Sequence, residues 1–305
     1  MSALQIALDN YLNIRRSLGF KLLEEGIILP QFLRFLEKKG ASFITTDLAL
    51  QWATLPENVL PSHWARRLRM VRKFAEYLSA MDPRTEVPPQ GLLPYRYRRR
   101  APYIFDDTEI SRLLEASNHL PSIIGLRAST YYTLFGLLTV TGMRISESVA
   151  LNRRDVDLLK RIVTVRRTKF GKSRLIPIHE STVKKLSEYG RLRDRSFISP
   201  RSPSLFVSEK GTRLSTWIVR WTFVKLSREI GLRGPDDSHG PRLHDLRHTF
   251  AVKTLLKWYQ TGVDVERHMH NLAAFLGHTH VNDTYWYISA VPELLRLASK
   301  RLDII

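Results

Sequence analysis

Residues 82–102 read DPRTEVPPQGLLPYRYRRRAP, and this stretch decides how the chain divides. Pro83, Pro88, Pro89 and Pro94, with Gly91 among them, interrupt any helical or strand period, because proline lacks a backbone donor and fixes its own φ. A cationic run, Tyr95-Arg96-Tyr97-Arg98-Arg99-Arg100, then closes the stretch. The pattern predicts a linker over 83–102, between a domain at 1–82 and a second at 103–305. Arg98, Arg99 and Arg100 suit contact with a polyanionic backbone, and equally a hydrated spacer.

Upstream of the linker the apolar residues recur at helical spacing. Leu4, Ala7, Leu8, Tyr11 and Leu12 predict a helix over 3–18; Ile28, Phe32, Phe35 and Leu36 predict another over 24–39, with Pro30 expected to delay its start. Thr46 opens a third helix before Asp47, and Ser62 to Ala80 reads as a longer basic one. Its Arg66, Arg69, Arg72 and Lys73 are candidates for phosphate contact.

Downstream, Asp106-Asp107-Thr108-Glu109 places acidic residues where a helix N-terminus prefers them. An apolar stretch, Tyr131 to Val140, leads to Thr141-Gly142-Met143-Arg144-Ile145-Ser146-Glu147, a turn feeding another helix. The period shortens to that of strands at Arg161–Val165 and again at Arg174–Ile178. Lys169-Phe170-Gly171-Lys172-Ser173 lies between them as a hairpin tip. The fold class expected is mainly α in two domains, helical first, with a small antiparallel β-hairpin in the second.

Composition narrows the function. Forty-eight Lys and Arg against 29 Asp and Glu give a formal net charge of +19. That excess favours a polyanionic partner, with nucleic acid foremost, since the basic residues are spread along the chain rather than gathered on one membrane-binding helix. The chain has no cysteine, which excludes disulfides, thiolate nucleophiles and cysteine-held zinc. No apolar run approaches membrane-spanning length and the N-terminus has no signal-peptide core, so a cytoplasmic location is expected.

Three features carry chemistry: Arg144 after its glycine turn, His244-Asp245-Leu246-Arg247-His248, and Leu276-Gly277-His278 followed by Thr284-Tyr285-Trp286-Tyr287. Phosphodiester chemistry without a metal needs guanidiniums to hold the non-bridging oxygens and neutralise charge in the transition state. Arg144 and Arg247 suit that. A phenol with an ordinary pKa near 10 needs a cationic surrounding or a nearby base, for which His244, His248 and His278 are candidates. A leaving 5′ oxygen needs a proton, which Lys169 or Lys172 on the hairpin tip suits.

Taken together, these segments, with Tyr287 nine positions beyond His278, resemble the tyrosine recombinase (phage integrase) family. The likeness spans the chain as architecture and is strongest from about residue 102 onward. It implies that Arg144 and Arg247 clamp the scissile phosphate, that His244 and His278 complete the pocket, and that Tyr287 attacks to give a 3′-phosphotyrosyl link. The run from Lys169 to Pro177 resembles the family's Lys-x-x-Lys-x-Arg pattern, whose first lysine is the general acid; Lys172 is the reserve and a DNA contact. No cofactor and no metal are implied. A homotetramer on double-stranded DNA, joined through a C-terminal tail helix beginning at Pro292, is, with packing of that helix onto its own domain as the alternative. The residues from Asp283 to Leu294 look most like integrases of transposons and other mobile elements. The interval from Trp258 to Asn271 is longer than in chromosome-dimer resolving recombinases.

Other readings remain. Tyr285 is an alternative nucleophile, and Arg144 an ion-pair partner for Glu147. His244 and His248 at i and i+4, with Asp245, fit a zinc site by spacing, although Arg247 between them repels a cation. His248 itself is read as structural. A type IB topoisomerase and a non-catalytic DNA-binding protein are the rival functions.

Overall fold

The computed structural model describes residues 2–95, 100–166, 173–197 and 202–302, with residues 301 and 302 described by backbone alone. Chain contacts divide it into two compact units, Met1–Arg99 and Arg100–Ile305. The described residues are mainly helical with one small antiparallel sheet.

Unit 1 contains α1 (Ala3–Ser17), α2 (Glu25–Lys38), α3 (Thr46–Thr54) and α4 (Pro61–Leu78). Side-chain caps start two of them: Ser2 accepts from Gln5 N on α1, and Thr45 from Leu48 N on α3. Pro61 starts α4 at the first helical position, where a missing donor is harmless. Pro30 does not delay α2 but lies inside it. Its ring removes one backbone hydrogen bond, and the burial of Leu29, Phe32, Leu33 and Leu36 on the same helix outweighs that loss. These pack with Leu8, Trp52 and Phe74 into one core.

The segment read as a linker is partly fastened to unit 1. Arg72 Nε donates to Pro88 O at 2.6 Å and its Nη2 to Pro89 O at 2.7 Å. Glu86 accepts from Thr46 N at 2.7 Å, and Leu93 packs on the core.

Unit 2 opens with α5 (Asp107–Asn118), α6 (Leu126–Thr141) and α7 (Ile145–Ala150). Asp106 and Glu109 cap α5 reciprocally, as the acidic cluster predicts. Strands β1 (Val156–Asp157), β2 (Ile162–Val165) and β3 (Arg174–Pro177) form a sheet in that order, antiparallel throughout, with Val163 opposite Ile176. The hairpin is where the alternation places it. The two-residue β1 is an addition too short to show a period, and Arg161, read as strand, sits at φ 57° in the turn before β2.

The rest is α8 (Glu180–Ser196), α9 (Thr216–Glu229), α10 (Asp245–Gln260), α11 (Val265–Leu276), α12 (Asn282–Ala290) and α13 (Pro292–Leu302). One core joins the sheet to α6 and α9 through Val163, Ile176, Phe135 and Phe223. A second joins α10, α11, α12 and α13 through Val252, Leu255, Met269, Tyr287 and Leu294. Among the described residues no helix is long and apolar enough to cross a membrane.

Candidate active site

Helix ends build the site. An α-helix leaves its last carbonyls without internal partners and carries partial negative charge there. At the end of α11, Gly277 adopts the left-handed conformation (φ 71°, ψ 43°) that terminates the helix. Three successive carbonyls at that end each receive a different arginine. Phe275 O accepts from Arg174 Nε at 2.8 Å, Leu276 O from Arg247 Nη2 at 2.8 Å, and Gly277 O from Arg144 Nη2 at 3.0 Å. A Cβ on Gly277 would stand 2.7 Å from Arg174 Nη1, so glycine is required for both backbone angle and space.

The end of α6 repeats the device. Gly142, at φ 58°, caps the helix, and its carbonyl accepts from Arg247 Nη1 at 2.8 Å. Arg247 is therefore held by two helix termini and is only 2% exposed. Its pKa is pulled down to about 10, first by burial and then by the nearby charge of Arg144. It remains a cation at neutral pH. Arg144 is half-buried, directly before α7.

One carboxylate balances this group. Glu147 pairs with Arg144 at 3.0 Å and takes both terminal nitrogens of Arg174 at 3.0 and 2.7 Å. Burial alone would push its carboxyl up, but hydrogen bonding and charge from Arg174, together with Arg144, hold it below the usual range. Two of the three guanidiniums, Arg144 and Arg174, share this buried carboxylate. The surplus positive charge suits a phosphate.

Helix α10 supplies the next layer. His244 at its cap, Arg247 and His248 lie at i, i+3 and i+4 and so share one face. The pKa of His244 is pushed down to about 4, by the protein packed around it first and by Arg247 next, although the residue keeps an exposed surface. It is neutral near pH 7. Its ring meets that of His248 edge-on at 4.7 Å. His248 Nδ1 is 2.8 Å from the Tyr287 hydroxyl, and that tyrosine is 1% exposed. His278 Nδ1 is 2.6 Å from Thr284 Oγ1, on the same helix as Tyr287.

Arg144, Arg247, His244, His278 and Tyr287 thus lie on a connected set of helix ends and facing helices. Lys169, Lys172, Arg98 and Arg99 lie outside the described residues, and Arg100 is exposed. On α4, Arg66 pairs with Glu24 and Lys73 with Glu76, while Arg72 is committed to the Pro88 and Pro89 carbonyls. Arg69 is exposed. Tyr285, two residues from Tyr287 on α12, presents an exposed side chain on another face. Asp245 does not complete a zinc site: its carboxylate is turned to Arg242, at 2.9 Å. The ion pair between Arg144 and Glu147 does form, alongside the contact to Gly277. Sequence spacing left Arg174 and Thr284 without a role; His248, one of three candidate bases there but read as structural, is the one that meets Tyr287.

A mainly helical unit with a small sheet thus gathers arginines on helix-terminal carbonyls and buries a tyrosine within the neighbouring α12. Residues 104–293 match the phage integrase family, and the chain belongs to that family. The Sinorhizobium fredii protein y4rB, which carries the name integrase/recombinase, is 48% identical over 99% of this chain and 98% of its own length. The tyrosine recombinase XerC of Chlamydia caviae is 27% identical over 94% of each. The fold is shared with the Tn1549 transposon integrase in complex with transposon right end DNA, at TM-score 0.69 and 16% identity, covering 99% of this chain and 100% of that one.

Glu147→Gln leaves Arg144 and Arg174 without their counter-charge and is expected to lower stability by about 3–5 kcal/mol at neutral pH. Because the folded pKa of Glu147 lies below its ordinary 4.5, the contribution is full above that pH and is lost as pH falls through the folded value. Denaturant midpoints of both proteins should therefore differ at neutral pH and converge under acid conditions. Equal midpoints at neutral pH would contradict this role.

Proposed function

We infer that the protein is a tyrosine-type site-specific recombinase, which cleaves and rejoins double-stranded DNA through a phosphotyrosyl intermediate. The observation that carries this reading is the set of arginines held on helix-terminal carbonyls beside a buried tyrosine. Arg144 and Arg247 receive the non-bridging oxygens of the scissile phosphate, and their fixed positions mean little reorganisation as charge builds. His244, neutral before DNA arrives, donates or accepts a hydrogen bond there, and His278, oriented by Thr284, does the same.

Tyr287 is the nucleophile. Its oxygen bonds to phosphorus, the bond to the 5′ oxygen breaks, and Lys169 gives that oxygen its proton. The phosphotyrosyl bond retains the energy of the original linkage. A 5′ hydroxyl from a second strand then reverses the step, and no cofactor or metal enters it. The N-terminal unit serves as the DNA-gripping domain, with Arg69 the most available cation of α4; the exposed pairs of Arg66 and Lys73 are weak enough to exchange for phosphates. The relatives' names favour recombination over topoisomerase-like relaxation, and the transposon integrase likeness supports a mobile-element origin. Action on DNA supports a cytoplasmic location.

Assembly as a homotetramer through α13 is part of the same proposal. Leu294 is fully buried in its own unit, while the next residue, Leu295, is 52% exposed and offers an apolar contact to another copy.

A labelled duplex nicked near the scissile position should yield a detergent-stable adduct with the wild type and none with Tyr287→Phe. An adduct that persists in the variant would move the nucleophile elsewhere. Leu295→Asp should reduce the size of protein–DNA assemblies in sedimentation while leaving single-site adduct formation intact; assemblies of unchanged size would count against docking through α13.

A further inference from the structure

Cleavage by a phenol requires a group to take its proton, and the sequence offers three imidazoles. The structure separates them. His278 presents its Nδ1 to Thr284 Oγ1 at 2.6 Å. His244, with a pKa near 4, is a poor acceptor for a group that ordinarily ionises near 10. His248 has its Nδ1 2.8 Å from the Tyr287 hydroxyl, within the range of direct proton transfer.

We propose that His248 is a catalytic residue, the group that accepts the phenolic proton of Tyr287 during cleavage and returns it on rejoining. The inference rests on the reading of Tyr287 as nucleophile. His248 and Tyr287 are 5% and 1% exposed, so bulk water is a poor competitor for the proton. The imidazole is confined by rings on several sides: His244 at 4.7 Å, Tyr287 at 5.5 Å and Trp286 at 5.7 Å between centroids. That packing fixes its orientation. As acceptor, Nδ1 is unprotonated and the ring proton is on Nε2.

The surrounding charge suits the transfer. Among the described residues, the ionisable groups shown beside His248 include His244 and Arg247 of its own helix and Tyr287 of α12. Negative charge on the phenol raises the pKa of Arg247, so the guanidinium in turn favours the phenolate. In the step, the O–H bond of Tyr287 breaks and its proton passes to His248 Nδ1. The phenolate oxygen bonds to phosphorus, the bond to O5′ breaks, and the general acid protonates O5′. On rejoining, the imidazolium returns the proton as the phenol departs.

The test is single-turnover adduct formation on a nicked duplex, at saturating protein and from about pH 6 to 9, with wild type, His248→Ala, His248→Asn and Tyr287→Phe. Both His248 variants should be slower by about 100-fold or more at pH 7. The gap should shrink by close to tenfold per pH unit, because hydroxide ionises the phenol in place of the imidazole. Asn retains a side-chain hydrogen bond without a titratable nitrogen, and melting curves of both variants identify a folding defect. A gap constant with pH, or a wild-type rate in His248→Asn, overturns the proposal. If Tyr287→Phe loses the adduct while both His248 variants cleave normally, only the His248 role fails; an adduct in Tyr287→Phe means that the nucleophile reading itself has failed.

Discussion

The last turn of α11 is the constraint on which the rest depends. Three like-charged guanidiniums repel one another and lose hydration when gathered, so they need fixed partners of opposite polarity. The carbonyls of Phe275, Leu276 and Gly277 provide them, one for each arginine, and Glu147 adds a full negative charge beneath two of the three. Partial charges at a helix terminus hold a cation without neutralising it. Positive potential therefore remains for an incoming phosphate.

Helix α10 joins this charge cluster to Tyr287, the proposed nucleophile. Arg247 reaches back to the ends of α6 and α11, while His248, one residue on, reaches the tyrosine of α12. The adjacent side chains diverge by about 100° on the helix, which lets one short segment reach both the arginine cluster and the Tyr287 phenol. Packing of α10 against α12 and α13 in the second core of the unit sets how far Arg247 lies from Tyr287.

Much of this was legible in the sequence. The four N-terminal helices follow from apolar spacing, and the hairpin from alternation. Arg144, Arg247 and Tyr287 follow from the order of three short motifs, and in the structure they occupy helix ends and facing helices. What was not legible is tertiary. Local rules gave Pro30 a breaking role that core burial overrode, and a two-residue β1 has no period to detect. Arg72 reads as a phosphate contact until the linker folds back onto it. His248 reads as structural because its partner lies 39 residues away, on another helix. The motif Leu276-Gly277-His278 draws attention to its histidine, whereas the glycine's backbone conformation and the carbonyls it exposes explain why that segment gathers arginines.

The most direct measurement of the central claim is adduct formation by Arg247→Ala on two versions of a target duplex, one with the natural scissile phosphodiester and one with a neutral methylphosphonate there. If the guanidinium acts by neutralising a non-bridging oxygen, the variant loses about 100-fold or more on the phosphodiester and recovers much of that loss on the methylphosphonate. An equal loss on both substrates would contradict the account.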